Sequence, residues 1–207
     1  MDAATSASLA AGAAALAVPL DEAQLAQFDR YLALLTRWNA QINLTRVIDP
    51  AEVVAKHFLD SLAIVPHLGD APTLVDVGAG AGFPGVPAAI ARPGLAVTLV
   101  ESVHKKVAFL EALKRELRLP LTIVAARLEQ WQPPAPFDVA VSRATFAPAE
   151  WIARAAPLVA PGGLVIAMLA RDRPPLTPPP GFAAARIVDY RLPVEGDRAL
   201  ALLRRTA

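Results

Sequence analysis

The segment Val75-Asp76-Val77-Gly78-Ala79-Gly80-Ala81-Gly82-Phe83-Pro84-Gly85 decides the fold. Thr73 to Val77 is a short apolar run, the length of a buried strand, and it breaks off at glycine. Four glycines then fall within eight residues, at 78, 80, 82 and 85. A strand ending in alternate glycines lets a ligand approach the backbone closely at the carboxyl edge of a sheet. A glycine turn without a ligand is the bland alternative, but so many glycines cost backbone entropy.

Downstream, apolar runs alternate with helical patterns. Strands are expected at Ala96 to Val100, Leu121 to Ala125, Phe137 to Val141 and Leu164 to Leu169. Helices are expected at Val107 to Leu117 and at Ala149 to Leu158, the second stopping near Pro161-Gly162-Gly163. A proline-rich loop from Pro174 to Gly181 follows. The runs Ala184 to Tyr190 and Ala199 to Leu203, joined by a turn around Glu195-Gly196-Asp197, read as a terminal antiparallel pair. Strands alternating with helices imply parallel βαβ units. The expectation is therefore an α/β chain with a doubly wound, seven-stranded, Rossmann-like sheet over 69–207.

Upstream, 21–68 reads as a helical appendage. Asp21 is a plausible N-cap before Leu25, Phe28, Leu32, Leu35 and Trp38, and Asp49-Pro50 opens a second helix. The stretch from Ala3 to Leu20 is uncharged but is mostly small residues, and Asp2 stands where a secretory signal would carry a basic residue. It is expected as a loosely held alanine-rich helix or tail over 1–20. The absence of cysteine excludes disulfides, zinc–thiolate sites and thiol catalysis. With 20 basic and 19 acidic side chains, net charge neither suggests nor excludes a nucleic-acid partner. The chain is expected in the cytoplasm, as a monomer, with no membrane and no metal.

Two ligands compete for the glycine turn. Gly80, Gly82 and Gly85 fit the dinucleotide pattern G-x-G-x-x-G. Against it, a pyrophosphate needs N–H donors at the helix N-terminus, and Pro84 has none. S-adenosylmethionine has no phosphate to satisfy, and Asp76 can either face its positive groups or hold the loop. Glu101, 19 residues after Gly82, would accept hydrogen bonds from ribose hydroxyls in either case. Glu129, after strand three, would pass the adenine or sit in solvent.

Six runs, in order, resemble the bacterial small-subunit ribosomal RNA guanine-N7 methyltransferases, formerly called glucose-inhibited division protein B. They are Trp38-Asn39 with Ile42-Asn43-Leu44-Thr45, His57-Phe58-Leu59-Asp60-Ser61, Val75 to Pro87, Glu101-Ser102, Arg127-Leu128-Glu129 and Ser142-Arg143-Ala144. The resemblance extends from about Phe28 to Arg204. It implies an S-adenosyl-L-methionine site contacted by Gly78, Phe83, Leu128, Glu129 and Arg143. It also implies methyl transfer to a guanine N7 of 16S ribosomal RNA within the small ribosomal subunit. Two places depart from the family: Leu169-Ala170, with Arg171 next, stand where a lysine and a glycine are usual. Ala199 replaces a histidine after Gly196-Asp197-Arg198.

Guanine N7 carries an in-plane lone pair, so its attack needs no general base. His57 therefore reads as a histidine packed between appendage and core. Arg143 is the candidate catalytic group, its charge directed at a phosphate, the guanine O6 or the methionine carboxylate. Arg37, Arg46, Lys56, Lys105, Lys106 and Arg198 are candidate RNA contacts, and Trp38 is expected in the core. The alternatives are a small-molecule methyltransferase, a nicotinamide-dependent oxidoreductase and a non-catalytic RNA-binding protein.

Overall fold

The computed structural model describes residues 1–170, 176–193 and 196–206. Its centre is one seven-stranded sheet in the order β3-β2-β1-β4-β5-β7-β6. The strands are β1 (Thr73–Val77), β2 (Ala96–Glu101), β3 (Thr122–Ala125), β4 (Phe137–Ser142), β5 (Val159–Leu169), β6 (Arg186–Leu192) and β7 (Gly196–Arg204). The first five are parallel. The last two run antiparallel as a hairpin on β5. Chain order reverses between β1 and β4, and that switch point opens a crevice beyond the strands' carboxyl ends.

Alternate strand residues feed two cores, because successive side chains leave a strand on opposite faces. Leu74, Leu99, Val139, Val141 and Ile166 point into the larger core. It is closed by α5 (Gly85–Ala91), α6 (His104–Leu117) and the N-terminal helices. Val75, Val77, Val100, Ala140 and Val165 point the other way, onto Trp151 and Ile152 of α7 (Pro148–Ala155).

The appendage begins as its caps dictate. Asp21 and Gln24 exchange side-chain and backbone bonds in a capping box that starts α2 (Glu22–Asn39). Asp49 caps α3 (Pro50–Val53), whose first residue is the proline. This helix then widens into a π-helical turn over Val54–Leu59 before closing in α4 (Asp60–Leu62).

Two expectations change. The alanine-rich start is not loosely held: α1 (Ala3–Ala15) is capped by Asp2, with Leu9 and Ala13 fully buried. Gly12 packs against Leu59, whose terminal methyl a Cβ there would meet at 2.5 Å and have to displace. Strand β5 begins at Val159, so Pro161, Gly162 and Gly163 lie inside it. They are absorbed by a register shift against β4 and by Gly162 and Gly163 pairing with Arg205. The expected turn at 195–197 lies partly outside the described residues at Glu195, as do Pro174 of the proline loop and Arg171.

Candidate active site

The glycine turn is held by two buried acids. Gly78, Gly80 and Gly82 have φ of 73°, 59° and 95°, the left-handed region that glycine tolerates. Glu101, 5% exposed, accepts from Gly80 N–H at 2.9 Å through Oε2 and from Val103 N–H at 2.8 Å through Oε1. Each oxygen keeps a second lone pair for a ligand. Asp76 is fully buried and accepts from Gly85 N–H at 2.8 Å, so it holds the loop rather than facing a ligand. Burial lifts its carboxyl to about 7, against the Gly85 hydrogen bond and the Arg143 charge, which pull it down.

Beside this turn lies a first cleft of about 390 Å³, lined by Val77, Gly78, Glu101, Lys106, Leu128, Glu129 and Phe146 among others. A Cβ on Gly78 would lie 2.2 Å from Thr145 Oγ1, so only glycine fits there. The cleft suits a nucleoside, having a buried carboxylate for hydroxyl groups and apolar side chains, Leu128 and Phe146, among its polar lining. It suits a pyrophosphate poorly. Helix α5 is buried at its start, Pro84 offers no donor, and the Gly85 and Gly80 N–H groups are already given to carboxylates.

A second cleft, of about 560 Å³, lies across Ala144 and Phe146, which line both. Lys56, His57, Asp60, Arg143, Tyr190 and Arg198 face it. Arg143 Nη1 donates to Asp60 Oδ2 at 3.1 Å and to Lys56 O at 3.2 Å. Its guanidinium lies 4.9 Å from the centre of the Phe83 ring. Phe83 is itself buried, stacked against Tyr31 and His57.

His57 is bonded through Nε2 to Thr45 Oγ1 at 2.8 Å. Burial, reinforced by the Arg143 charge, lowers its pKa to about 4, so the ring is neutral at pH 7. Ala144, between the clefts, has a positive φ of 57°, uncommon for a residue with a side chain.

Of the residues singled out by sequence, Gly78, Glu101, Leu128 and Glu129 meet in the first cleft. Gly80 supports it through Glu101. Phe83 lines neither cleft but is buried behind His57, on which it stacks, and Arg143 lines the second cleft. Glu129 is paired with Arg154. The six candidate RNA contacts are dispersed. Lys56 and Arg198 face the second cleft and Lys106 the first, whereas Arg37, Arg46 and Lys105 lie on the outer surface. Trp38 is only half-buried: it packs edge-on to Phe109 at the rim of the core rather than within it. Leu169 and Ala170 line the second cleft, while Arg171 lies outside the described residues. Sequence reasoning missed Tyr190 and Phe146; neither sits in a patterned motif, and only the topology brings them to the clefts.

The profile of the family described as rRNA small subunit methyltransferase G matches residues 24–173. The chain belongs to that family. A curated ribosomal RNA small subunit methyltransferase G from Anaeromyxobacter sp. (strain Fw109-5) is 45% identical over 175 residues, 83% of this chain and 81% of its own. Another, from Burkholderia pseudomallei (strain 1106a), is 49% identical over 168 residues, 77% and 72% of the two chains. Solved structures share the family's fold at low identity. The O-methyltransferase TomG from Streptomyces achromogenes, in complex with SAM, has a TM-score of 0.60 at 17% identity over 92% of each chain. An O-methyltransferase from Bacillus cereus in complex with SAH has a TM-score of 0.59 at 16% identity, over 85% of this chain and 90% of its own. Among the described residues no helix is long and apolar enough to cross a membrane.

Proposed function

We propose that this S-adenosylmethionine-dependent methyltransferase acts on N7 of a guanine in 16S ribosomal RNA, within the small ribosomal subunit, as a cytoplasmic monomer. The observation that carries the reading is the meeting of two clefts at Ala144 and Phe146, beyond the strand ends at the switch point. One suits a nucleoside; the other is lined by Arg143, Lys56 and Arg198, hydrogen-bond donors for a base edge or a phosphate, with Arg143 paired to Asp60 and Lys56 to Glu52.

Glu101 would take the ribose hydroxyls, Gly78 would allow the close backbone approach, and Leu128 and Glu129 would flank the adenine. When bound, S-adenosylmethionine supplies a methyl carbon on a sulfonium, so transfer to N7 moves one positive charge from sulfur to base. No side chain has to remove a proton, because N7 attacks through its lone pair. His57, neutral and bonded to Thr45, faces the second cleft beside Arg143 Nη2 at 3.4 Å and has no proton to take from the base. Arg143 lines the second cleft, and its remaining N–H donors would serve the guanine O6, an adjacent phosphate or the methionine carboxylate. N7 lies on the Hoogsteen edge, hidden in the deep groove of an RNA duplex, so the target base enters from a loop or is turned out.

Methyl-labelled S-adenosylmethionine, offered with small subunits, protein-free 16S RNA and a metabolite pool, tests this. Label in the 16S RNA of small subunits supports the reading; label only among metabolites, or none, overturns it. Calorimetry with NAD is the companion control, and tight binding of NAD would restore the dinucleotide alternative.

A further inference from the structure

The second cleft contains a half-buried relay, of which the reaction, as described so far, uses only Arg143. Tyr190 Oη, on β6, donates to Asp60 Oδ1 at 2.7 Å. The other oxygen of Asp60 accepts from Arg143 at 3.1 Å. The Asp60 side chain is 11% exposed and that of Arg143 17%, so water screens the pair little. Three distant parts of the chain converge here: the C-terminal hairpin, the helix following the π-helical turn, and the end of β4.

Resting on the reading of Arg143 given above, we infer that Asp60 and Tyr190 are positioning residues for the methyl transfer. Asp60 fixes the guanidinium plane and neutralises its charge, and Tyr190 fixes Asp60. The chemistry of the acceptor supplies the reason. A guanine becomes cationic as N7 takes the methyl group, and a lone guanidinium hydrogen-bonded to it would oppose that charge. Paired with Asp60, Arg143 still offers donors to the base or its phosphate but presents no net charge, so orientation is gained without repulsion. Each hydrogen on Nη1 has an acceptor, Lys56 O and Asp60 Oδ2, which sets the plane from two directions. With the hydroxyl of Tyr190 on Oδ1, the carboxylate is held against turning to grip Arg143 with both oxygens. Burial and the Asp60 charge raise the Tyr190 pKa above its ordinary value, so the phenol stays a donor throughout the working range of pH.

Asp60→Asn and Tyr190→Phe, each in the wild-type and the Arg143→Ala backgrounds, test the relay. The readings are kcat and KM on small subunits at saturating S-adenosylmethionine, Kd for S-adenosylmethionine, and Tm. Each substitution in the wild-type background is expected to lower kcat about tenfold or more. KM and cofactor Kd stay within about threefold, a split that a merely structural role would not produce. In the Arg143→Ala background neither substitution lowers kcat further, because the group they position is gone. Unchanged kcat in both single variants overturns the inference, as does an equal loss in the two backgrounds. Tyr190→Phe removes only a hydroxyl, and keeps the test decisive if Asp60→Asn lowers Tm too far. A wild-type chain inactive on small subunits would refute the functional reading itself, whereas an active wild type with unaffected variants refutes only the relay.

Discussion

Glu101 and Arg143 are both charged residues at strand ends, and they line different clefts. Glu101 holds Gly80 and Val103 by their N–H groups and lines the first cleft. Glu101→Ala loosens the glycine turn and, on the proposed reading, removes a charge-assisted partner of the ribose. The expected loss is about 1.5–3 kcal/mol of cofactor binding, or roughly ten- to a hundredfold in Kd. Arg143→Ala leaves that cleft intact, so its cofactor Kd stays near wild type while kcat falls. Calorimetry and turnover at saturating cofactor separate the two. Equal losses of cofactor affinity in both variants, with turnover retained in Arg143→Ala, would make Arg143 a cofactor clamp. Gly78 is the other residue with no latitude: Gly78→Ala places a Cβ against Thr145 in left-handed backbone and is expected to abolish cofactor binding. Undiminished binding by that variant would show that the turn is not read as described.

Among the elements, the strands that carry the site were legible because their apolar runs are short, uniform and bounded by glycine or proline. Thr73–Val77 is found at the expected bounds, and β2 and β4 extend only one residue further, to Glu101 and Ser142. What was not legible depends on contacts distant in sequence. The π-helical turn at Val54–Leu59 leaves no signature in the 3.6-residue periodicity, although it presents Lys56 and His57 to the second cleft. Tyr190 reads as one more strand residue until the hairpin is laid against α4. The N-terminal helix misled for a different reason. A run of alanines carries little hydrophobic signal, but α1 docks through Leu9, Ala13 and the bare face of Gly12. Leu9→Ala is therefore expected to cost about 2–4 kcal/mol in denaturant unfolding. A cost under about 0.5 kcal/mol, the range of a surface change, would mean that the helix is not part of the core.

At the scale of the whole molecule, two buried groups give pH dependences of opposite sign. His57 has a folded pKa of about 4 against an ordinary 6.5. Between those values the unfolded chain holds a proton that the folded chain lacks, so this group makes stability rise with pH. Asp76, lifted to about 7 from 3.8, keeps a proton in the folded chain that the unfolded chain has released, and makes stability fall as pH rises through the same window. The slopes oppose each other in the wild type. Asp76→Asn removes the second and is expected to leave Tm rising more steeply between about pH 4.5 and 6.5; an unaltered slope would show that Asp76 is ionised in the folded chain. Net charge acts at this scale as well. With a formal charge of +1, the chain gains little from counterion release on naked RNA, so the small subunit is expected to be methylated faster than protein-free 16S RNA. Transfer to guanine N7 is read out by chemical scission. Borohydride reduction followed by aniline breaks RNA at N7-methylated guanosine. Small subunits from a strain lacking the enzyme, treated with the protein and S-adenosylmethionine, are predicted to gain one scission site at a guanine of 16S RNA. Methyl incorporation without a new scission site would contradict the account.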